Sequence, residues 1–186
     1  MDYQDVYTEG ITKITTEDFA YAKKMKRAIK LLASSRKVGD TYCAMVSPVM
    51  IPREHPLYMV NDVFNAVFVK GNMLGDSMFY GSGAGKLPTA SAVAGDMVDA
   101  ARHLGKIITL FWNQEKLELA PKSETSRRFF VRMHDVEKAK ELFGDVEIID
   151  AGIVGEVGCV TPVMTEAEYE QKAAQTEIIS MIRVEG

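Results

Sequence analysis

Three glycines spaced two residues apart form the clearest chemical feature of the sequence. Gly81, Gly83 and Gly85 follow a predicted strand at residues 77–80 and precede a predicted helix with Pro88 in its first turn. Glycine permits positive φ and lets the backbone approach a bound group closely. The start of a helix adds unpaired N–H groups and the positive end of the helix dipole. Such a turn can hold a phosphate, a carboxylate or a nicotinamide carboxamide.

The glycine spacing alone leaves the ligand of this turn open. The dinucleotide-binding fingerprint needs its third glycine at position 86, where the chain has Lys86. A P-loop needs Ser or Thr after its lysine, and here Leu87 follows. Most glycine-rich turns only satisfy backbone geometry. Lys86 could contact a cofactor phosphate, but we favour its interpretation as an exposed loop lysine.

The other polar residues form no recognisable catalytic pattern. His55, His103 and His134 are far apart in the sequence, and none has a carboxylate at a catalytic spacing. Asp96 and Asp99 are three residues apart in a predicted helix, which is typical of a solvated face. We therefore predict no catalytic residue and no metal ligand in this chain.

The composition is that of a globular protein. The 186 residues are 47% hydrophobic and 26% charged, which is enough for one ordinary domain or two small ones. A net charge of -4 argues against nucleic acid and anionic membranes as partners. Cys43 and Cys159 are too few for a disulfide framework or a zinc site. With no signal peptide and no apolar run of the roughly 20 residues that span a bilayer, we expect a cytoplasmic protein.

The first part of the chain is predicted to contain a helix and a hairpin. Thr15 and Asp18 have capping-box spacing at the start of a helix over residues 16–26. Residues 28–33, with Ile29 and Leu31 on one side, and residues 41–49 flank a break at Gly39-Asp40, which predicts two paired strands.

Three prolines interrupt the pattern after this hairpin. Pro48, Pro52 and Pro56 lack the N–H group that a central strand or helix needs. We therefore expect residues 46–57 to form an ordered loop or the edge of a strand. A further strand is predicted at residues 65–69.

A long amphipathic helix follows the glycine turn. Gly105 is predicted to end it as a C-terminal cap residue. Its apolar positions keep a helical period throughout: Ala90, Val93, Ala94, Met97, Val98, Ala101 and Leu104.

The last sixty residues follow a different pattern from the rest. Residues 113–126 are polar, contain Pro121 and are predicted to be a linker. After them, the predicted order βαββαβ indicates a ferredoxin-like domain. Its predicted elements are strands at residues 128–133, 146–154, 158–163 and 177–184, and helices at 136–143 and 165–174.

Several separated motifs resemble the homoserine dehydrogenase family in family order over residues 5–105. Glu9-Gly10-Ile11 resembles the family's stretch just after its catalytic lysine, and Ile29-Lys30-Leu31-Leu32-Ala33 and His55-Pro56-Leu57 also match. The family's C-terminal signature is matched by Gly71-Asn72, Phe79-Tyr80-Gly81, Gly83-Ala84-Gly85, Pro88-Thr89-Ala90-Ser91-Ala92-Val93 and Asp96.

The resemblance implies an oxidoreductase that interconverts L-homoserine and L-aspartate 4-semialdehyde with NAD or NADP, in threonine, methionine and isoleucine biosynthesis. It implies that Gly85 contacts the nicotinamide cofactor and that Gly81 and Gly83 shape the turn. It also implies a substrate-domain sheet that mediates dimerisation, hence a homodimer or a higher homo-oligomer. The family's dinucleotide fingerprint, substrate-binding acids and catalytic lysine are not in this sequence. We therefore expect a fragment that is inactive alone.

The resemblance also implies a domain organisation. The predicted fold class is α+β: a mixed β-sheet covered by helices, then a ferredoxin-like domain of the ACT type. The predicted boundaries are 1–112 for the end of the substrate domain, 113–126 for the linker and 127–186 for the ACT-like domain. Regulatory ACT domains commonly have a glycine after their first strand, and this chain has His134-Asp135 there. An amino-acid effector at the tail and a purely oligomerising tail both remain open, as does a stand-alone sensing module.

Overall fold

The computed structural model describes residues 2–107, 109, 111 and 114–186. Its helices are α1 (Thr16–Lys24), α2 (Lys86–Arg102), α3 (Val136–Phe143) and α4 (Glu166–Ala173). Its strands are β1 (Tyr7–Thr8), β2 (Arg27–Val38), β3 (Thr41–Pro52), β4 (Phe64–Gly71), β5 (Gly75–Ser82), β6 (Ser126–Met133), β7 (Glu147–Ile149), β8 (Val157–Val160), β9 (Met164–Thr165) and β10 (Ser180–Val184). No helix of the described residues is both long and apolar enough to cross a membrane.

These elements form two compact units. The large unit consists of Met1–Arg53 together with Lys116–Gly186, and the small unit consists of Glu54–Glu115. The boundaries of these units differ from those of the predicted domains, 1–112 and 127–186. The reason is that the start of the chain and the tail share one sheet.

The large unit is built on a mixed sheet with the strand order β1-β3-β10-β6-β8-β7. Strand β2 pairs with β3 as a long antiparallel hairpin, and β9 pairs with β6. The pairs β1–β3 and β3–β10 are parallel, whereas β10–β6, β6–β8 and β8–β7 are antiparallel. The prediction of a mixed sheet with helices is therefore confirmed, and β10 continues the sheet of the first hairpin.

The predicted order of elements in the tail is present in the structure. Strand β6, helix α3, strands β7 and β8, helix α4 and strand β10 follow one another, and their sheet order is β10-β6-β8-β7. The strand predicted over residues 146–154 is only Glu147–Ile149 long, because Gly152 and Gly155 adopt positive φ and the chain turns away. The short strand β9 was not predicted.

Alternating residues of β6 divide the core of the large unit between the two faces of the sheet. Phe129 and Val131 pack on the face covered by α3 and α4. Phe130 packs on the opposite face with Ile182, against Tyr21 of α1. Side chains alternate along a strand, so a single strand serves both layers. The capping box of Thr15 and Asp18 starts α1 as predicted.

The expectation for the prolines was wrong at Pro48, which lies inside β3 with strands on both sides. It pairs with Leu31 of β2. On the other side of β3, the carbonyl of Val46 accepts from Glu9 N–H at 2.8 Å, and the carbonyl of Met50 accepts from Glu185 N–H at 3.0 Å. Backbone groups two residues apart along a strand point to the same side, so position 48 faces the gap between β1 and β10. Among the described residues no strand lies there to accept a hydrogen bond, so the missing N–H of Pro48 breaks no pairing.

The segment predicted as a linker is attached to the sheet over its second half. Ala120 N–H donates to the carbonyl of Tyr42 at 2.8 Å, and a short helical turn, Lys122–Glu124, follows. Thr125 is buried, and its carbonyl accepts from the N–H of Glu166 at 3.0 Å. Asn113, where the predicted linker begins, lies outside the described residues.

The small unit contains the hairpin β4–β5 and helix α2. The helix begins as predicted but ends at Arg102, three residues before Gly105. Its apolar stripe is exposed to solvent, with 69% of Met97 accessible. The hairpin likewise exposes Val67 and Phe79, which lie opposite each other on the two strands.

Candidate functional site

The glycine turn joins the end of β5 to the start of α2 within the small unit. Gly81 lies in the last part of the strand, and Gly85 is the N-cap residue of the helix with φ 119°. Its carbonyl accepts the first helical hydrogen bond, from Thr89 N–H at 3.1 Å. A side chain is strained at such a φ, so Gly85 is required by the backbone itself. The structure thus brings Gly81, Gly83 and Gly85 together in one turn.

Gly83 is held against the neighbouring strand. A Cβ atom at this position would lie 2.2 Å from Nδ2 of Asn65 and 3.0 Å from its Cγ. Asn65 is also the residue that pairs with Gly81 across the hairpin. Gly83 therefore lets the turn pass over the amide of Asn65, and any larger residue would displace one or the other.

Gly81 has no such local requirement. A Cβ atom there would meet nothing within 4 Å among the described residues, and its φ is not positive. The described residues therefore give no steric or conformational reason for glycine at position 81. Close approach of a further group would supply such a reason.

The start of α2 has uncapped backbone donors. No side chain of the described residues caps its first turn, and Pro88 removes one N–H from that turn. The N–H groups of Lys86 and Leu87 precede the first helical bond and point out of the helix start. With the positive end of the helix dipole, they form a site suited to an anion or a carbonyl oxygen. The side chain of Lys86 is exposed.

The three histidines make ordinary structural contacts, and His55 Nδ1 accepts from the N–H of Leu57 at 3.1 Å. His103 Nδ1 lies 2.8 Å from the carbonyl of Asp99 and 3.4 Å from its carboxylate, on an exposed helix face. His134 Nδ1 contacts the carbonyl of Gly155 at 2.7 Å. The group of acids, histidines and cysteines that a metal ion needs is absent from the described residues.

A buried ion cluster around Arg183 was not anticipated from the sequence. Its guanidinium donates to both carboxylate oxygens of Glu166, at 2.6 and 2.9 Å, and to Glu9 at 2.6 Å. Burial lowers the pKa of Arg183, but the hydrogen bonds and charges of Glu166 and Glu9 outweigh it, and the pKa is raised. The cluster joins β10 and α4 of the tail to the segment just after β1.

A second buried cluster joins α1 to the tail. Arg132 of β6 donates to Asp18 at 2.9 Å, to Thr15 at 2.9 Å, and to both carboxylate oxygens of Glu156. The only sequence signal for it was the capping box at Thr15 and Asp18, because a lone arginine in an apolar strand pattern does not identify its partners. These contacts hold α1 on the face of the sheet where Tyr21 packs.

The two cysteines are buried and free. Burial raises the pKa of Cys159 to about 11 and raises that of Cys43 as well. Both thiols are therefore protonated and poor nucleophiles near neutral pH.

A strand, a glycine turn with positive φ and an uncapped helix start make this a mixed α/β chain whose turn is able to bring bare backbone to an anion or a cofactor. The chain belongs to the homoserine dehydrogenase family, whose family model matches residues 1–98 and so includes the glycine turn.

Similar proteins support the same family over the whole chain. A homoserine dehydrogenase from Mycobacterium bovis is 35% identical over 215 aligned residues, covering 98% of this chain and 49% of the relative. One from Neisseria gonorrhoeae is 31% identical, covering 100% of this chain and 43% of the relative. The crystal structure of a homoserine dehydrogenase from Thiobacillus denitrificans superposes with a TM-score of 0.81 at 27% identity, covering 100% of this chain and 48% of that chain. The chain thus spans about half the length of these relatives.

Proposed function

We propose that this chain forms part of an NAD- or NADP-dependent homoserine dehydrogenase, which interconverts L-homoserine and L-aspartate 4-semialdehyde. The observation that carries the proposal is the backbone of Gly85, a positive-φ N-cap with uncapped donors beside it, inside the matched residues 1–98. The groups that bind the rest of the nucleotide, hold the substrate and move its proton would belong to the part of the relatives that this chain does not span.

The residues of the turn fit a nicotinamide cofactor. A side chain at Gly85 would stand between the helix start and a flat ring, and glycine removes it. The N–H groups of Lys86 and Leu87 are suited to an oxygen acceptor such as the carboxamide carbonyl. The cofactor supplies hydride transfer when bound. The contribution of this chain is to orient the ring by backbone contacts, with Gly83 and Asn65 fixing the shape of the turn.

Reconstitution with the missing half tests this proposal. This chain would be combined with the N-terminal half of the Mycobacterium bovis relative, and homoserine-dependent reduction of NADP and NAD would be followed. We expect activity with the unaltered chain and a loss of at least about 100-fold with Gly85→Val, since small displacements at a reacting centre cost that much.

The matched control is Gly39→Val. Gly39 also has positive φ, at 58° against 119° for Gly85, but it lies in the turn between β2 and β3. Valine is strained at both positions and more so at Gly85, so the melting curve of each variant is compared with that of the unaltered chain to separate strain from loss of contact with the cofactor. Equal losses in the two variants would contradict a cofactor role for Gly85, and activity unaffected by either would do so as well.

We further propose that the tail is an ACT-like module that serves assembly. The N–H groups at the start of α3, which an amino-acid carboxylate would need, already have an acceptor: Asp135 Oδ1 lies 2.9 Å from Glu137 N and 3.2 Å from Lys138 N. We therefore expect millimolar L-threonine to leave the melting temperature unchanged. A shift seen with L-threonine but not with D-threonine would instead favour a sensing module.

A further inference from the structure

A cavity of about 360 Å³ lies in the large unit, at the seam between α1 and the tail. Its walls come from the C-terminal end of α1, the start of β2, and strands β6, β7 and β8. The volume is within the range of small-molecule pockets. The cavity is formed by different residues from the glycine turn, which lies in the small unit, so the proposed function does not account for it.

The charged side chains of the cavity leave a positive excess. Four basic residues and two acids line it, as Lys24, Lys26, Arg27, Arg128, Glu147 and Asp150. Arg128 donates to Glu147 at 3.2 Å, and Arg27 donates to the carbonyl of Glu185 at 2.6 Å. Asp150 accepts from the N–H of Gly152 at 2.7 Å.

Two lysines carry the uncompensated charge. Lys24 and Lys26 form no ion pair with any residue that the structure describes. Four cationic side chains against two carboxylates leave the lining with an excess of two positive charges. A ligand that neutralises it would carry two negative charges.

The backbone at Lys26 supports a functional reason for its side chain. Lys26 has φ 55°, and its N–H donates to the carbonyl of Lys23 at 3.0 Å as the chain leaves α1. A helix usually ends in this conformation with glycine, because other residues adopt it only at an energetic cost. Such strain is concentrated at ligand-binding sites. Here lysine keeps a cation at the edge of the cavity despite that cost.

The remaining wall is apolar. Met25, Ile149 and Val160 line the cavity, and Met25 and Ile149 pack against the core cluster that contains Val160. A ligand with a short hydrocarbon part would contact this wall while its charged groups reach the two lysines.

We propose that this cavity binds a small organic dianion, a dicarboxylate or a phosphate ester, through Lys24 and Lys26. The ligand would connect the end of α1 to β7 and so strengthen the seam that Arg132 already holds with Asp18 and Glu156. Dicarboxylates and phosphates share the doubly charged oxyanion chemistry, and the experiment separates them.

The test measures the melting temperature of this chain with succinate, with inorganic phosphate, and with sodium chloride at the same ionic strength. We expect succinate or phosphate to raise the midpoint by about 3 °C at tenfold its Kd, with chloride as the baseline. A larger shift with succinate would identify a dicarboxylate ligand, and a larger shift with phosphate would identify a phosphate ester. Isothermal titration would give the Kd directly.

Two variants make the result specific. The double variant Lys24→Gln/Lys26→Gln should lose the shift, whereas Lys23→Gln should keep it. Lys23 is also in the last turn of α1 but does not line the cavity. The proposal is overturned if neither succinate nor phosphate, each at about 50 mM, raises the melting midpoint of the unaltered chain. It is also overturned if all three proteins respond equally, since dianions then act only as general stabilisers.

Discussion

The large and small units of this chain differ in where their apolar side chains lie. The large unit buries Phe129, Phe130 and Val131 completely, and it also buries the ion pairs of Arg183. The small unit leaves Val67 and Phe79 on the hairpin, and the stripe of α2, exposed to solvent. Exposed apolar faces of this kind usually bind another surface. The comparison indicates a large unit with a buried core and a small unit whose apolar faces we expect to bind another surface.

We expect the largest difference in the free energy of unfolding when one phenylalanine in each unit is replaced by alanine. Phe130→Ala removes a buried ring that packs against Tyr21, with centroids 5.2 Å apart, and should lower the free energy of unfolding by about 3–5 kcal/mol. Phe79→Ala removes a ring that is 70% exposed and should cost about 0.5 kcal/mol or less. Denaturant unfolding measures both. Similar losses would remove the distinction between the units.

Within the large unit, a buried ion pair should matter more to the free energy of unfolding than an exposed one. Arg183→Met leaves Glu9 without its buried partner and leaves Glu166 with only Arg127, at 3.3 Å, and should cost about 3–5 kcal/mol. Arg36→Met breaks a pair with Glu185 in which the arginine is about half exposed, and should cost less than about 1 kcal/mol. The two substitutions are chemically identical. A loss at Arg36 as large as that at Arg183 would show that burial does not govern these pairs.

Alkaline pH should destabilise the packing of α1 on the sheet. Burial raises the pKa of Tyr21 to about 12 from an ordinary 10.0, and the nearby charge of Glu156 adds to the effect. The folded state therefore holds this proton more tightly than the unfolded state. The resulting stability is complete below pH 10 and is lost as the pH rises to 12.

Tyr21→Phe isolates that contribution. Unfolding midpoints between pH 9 and pH 12 should fall more steeply for the unaltered chain than for the variant. Parallel curves for the two proteins would mean that the hydroxyl of Tyr21 does not titrate differently in the folded state.

The smallest effect on stability, and a clear effect on assembly, is expected at the hairpin. Val67→Ser/Phe79→Ser reduces the exposed apolar face and should convert a homo-oligomer to smaller species in light scattering, with little change in the unfolding of the large unit. Met73→Ser, at the exposed tip between β4 and β5, is the matched control. A monomer before any substitution would contradict the interpretation of this face as an interface.

Local patterns predicted much of this fold. A capping box located the start of α1, and the tail order βαββαβ is present as predicted. The glycine turn was also located from sequence, because positive φ at Gly85 is a local requirement. The parallel pairing of β3 with β10 could not be predicted, since it joins residues far apart in the chain. For the same reason, the partners of Arg183 and the place of Pro48 between β1 and β10 appear only in the structure.

Homoserine-dependent reduction of NADP or NAD by this chain alone tests the central claim most directly. If the glycine turn completes a cofactor site made mostly of residues that this chain does not contain, no turnover above background is expected with either cofactor. Turnover by the chain alone that Gly85→Val abolishes would contradict the claim, because the catalytic groups would then have to lie within these 186 residues.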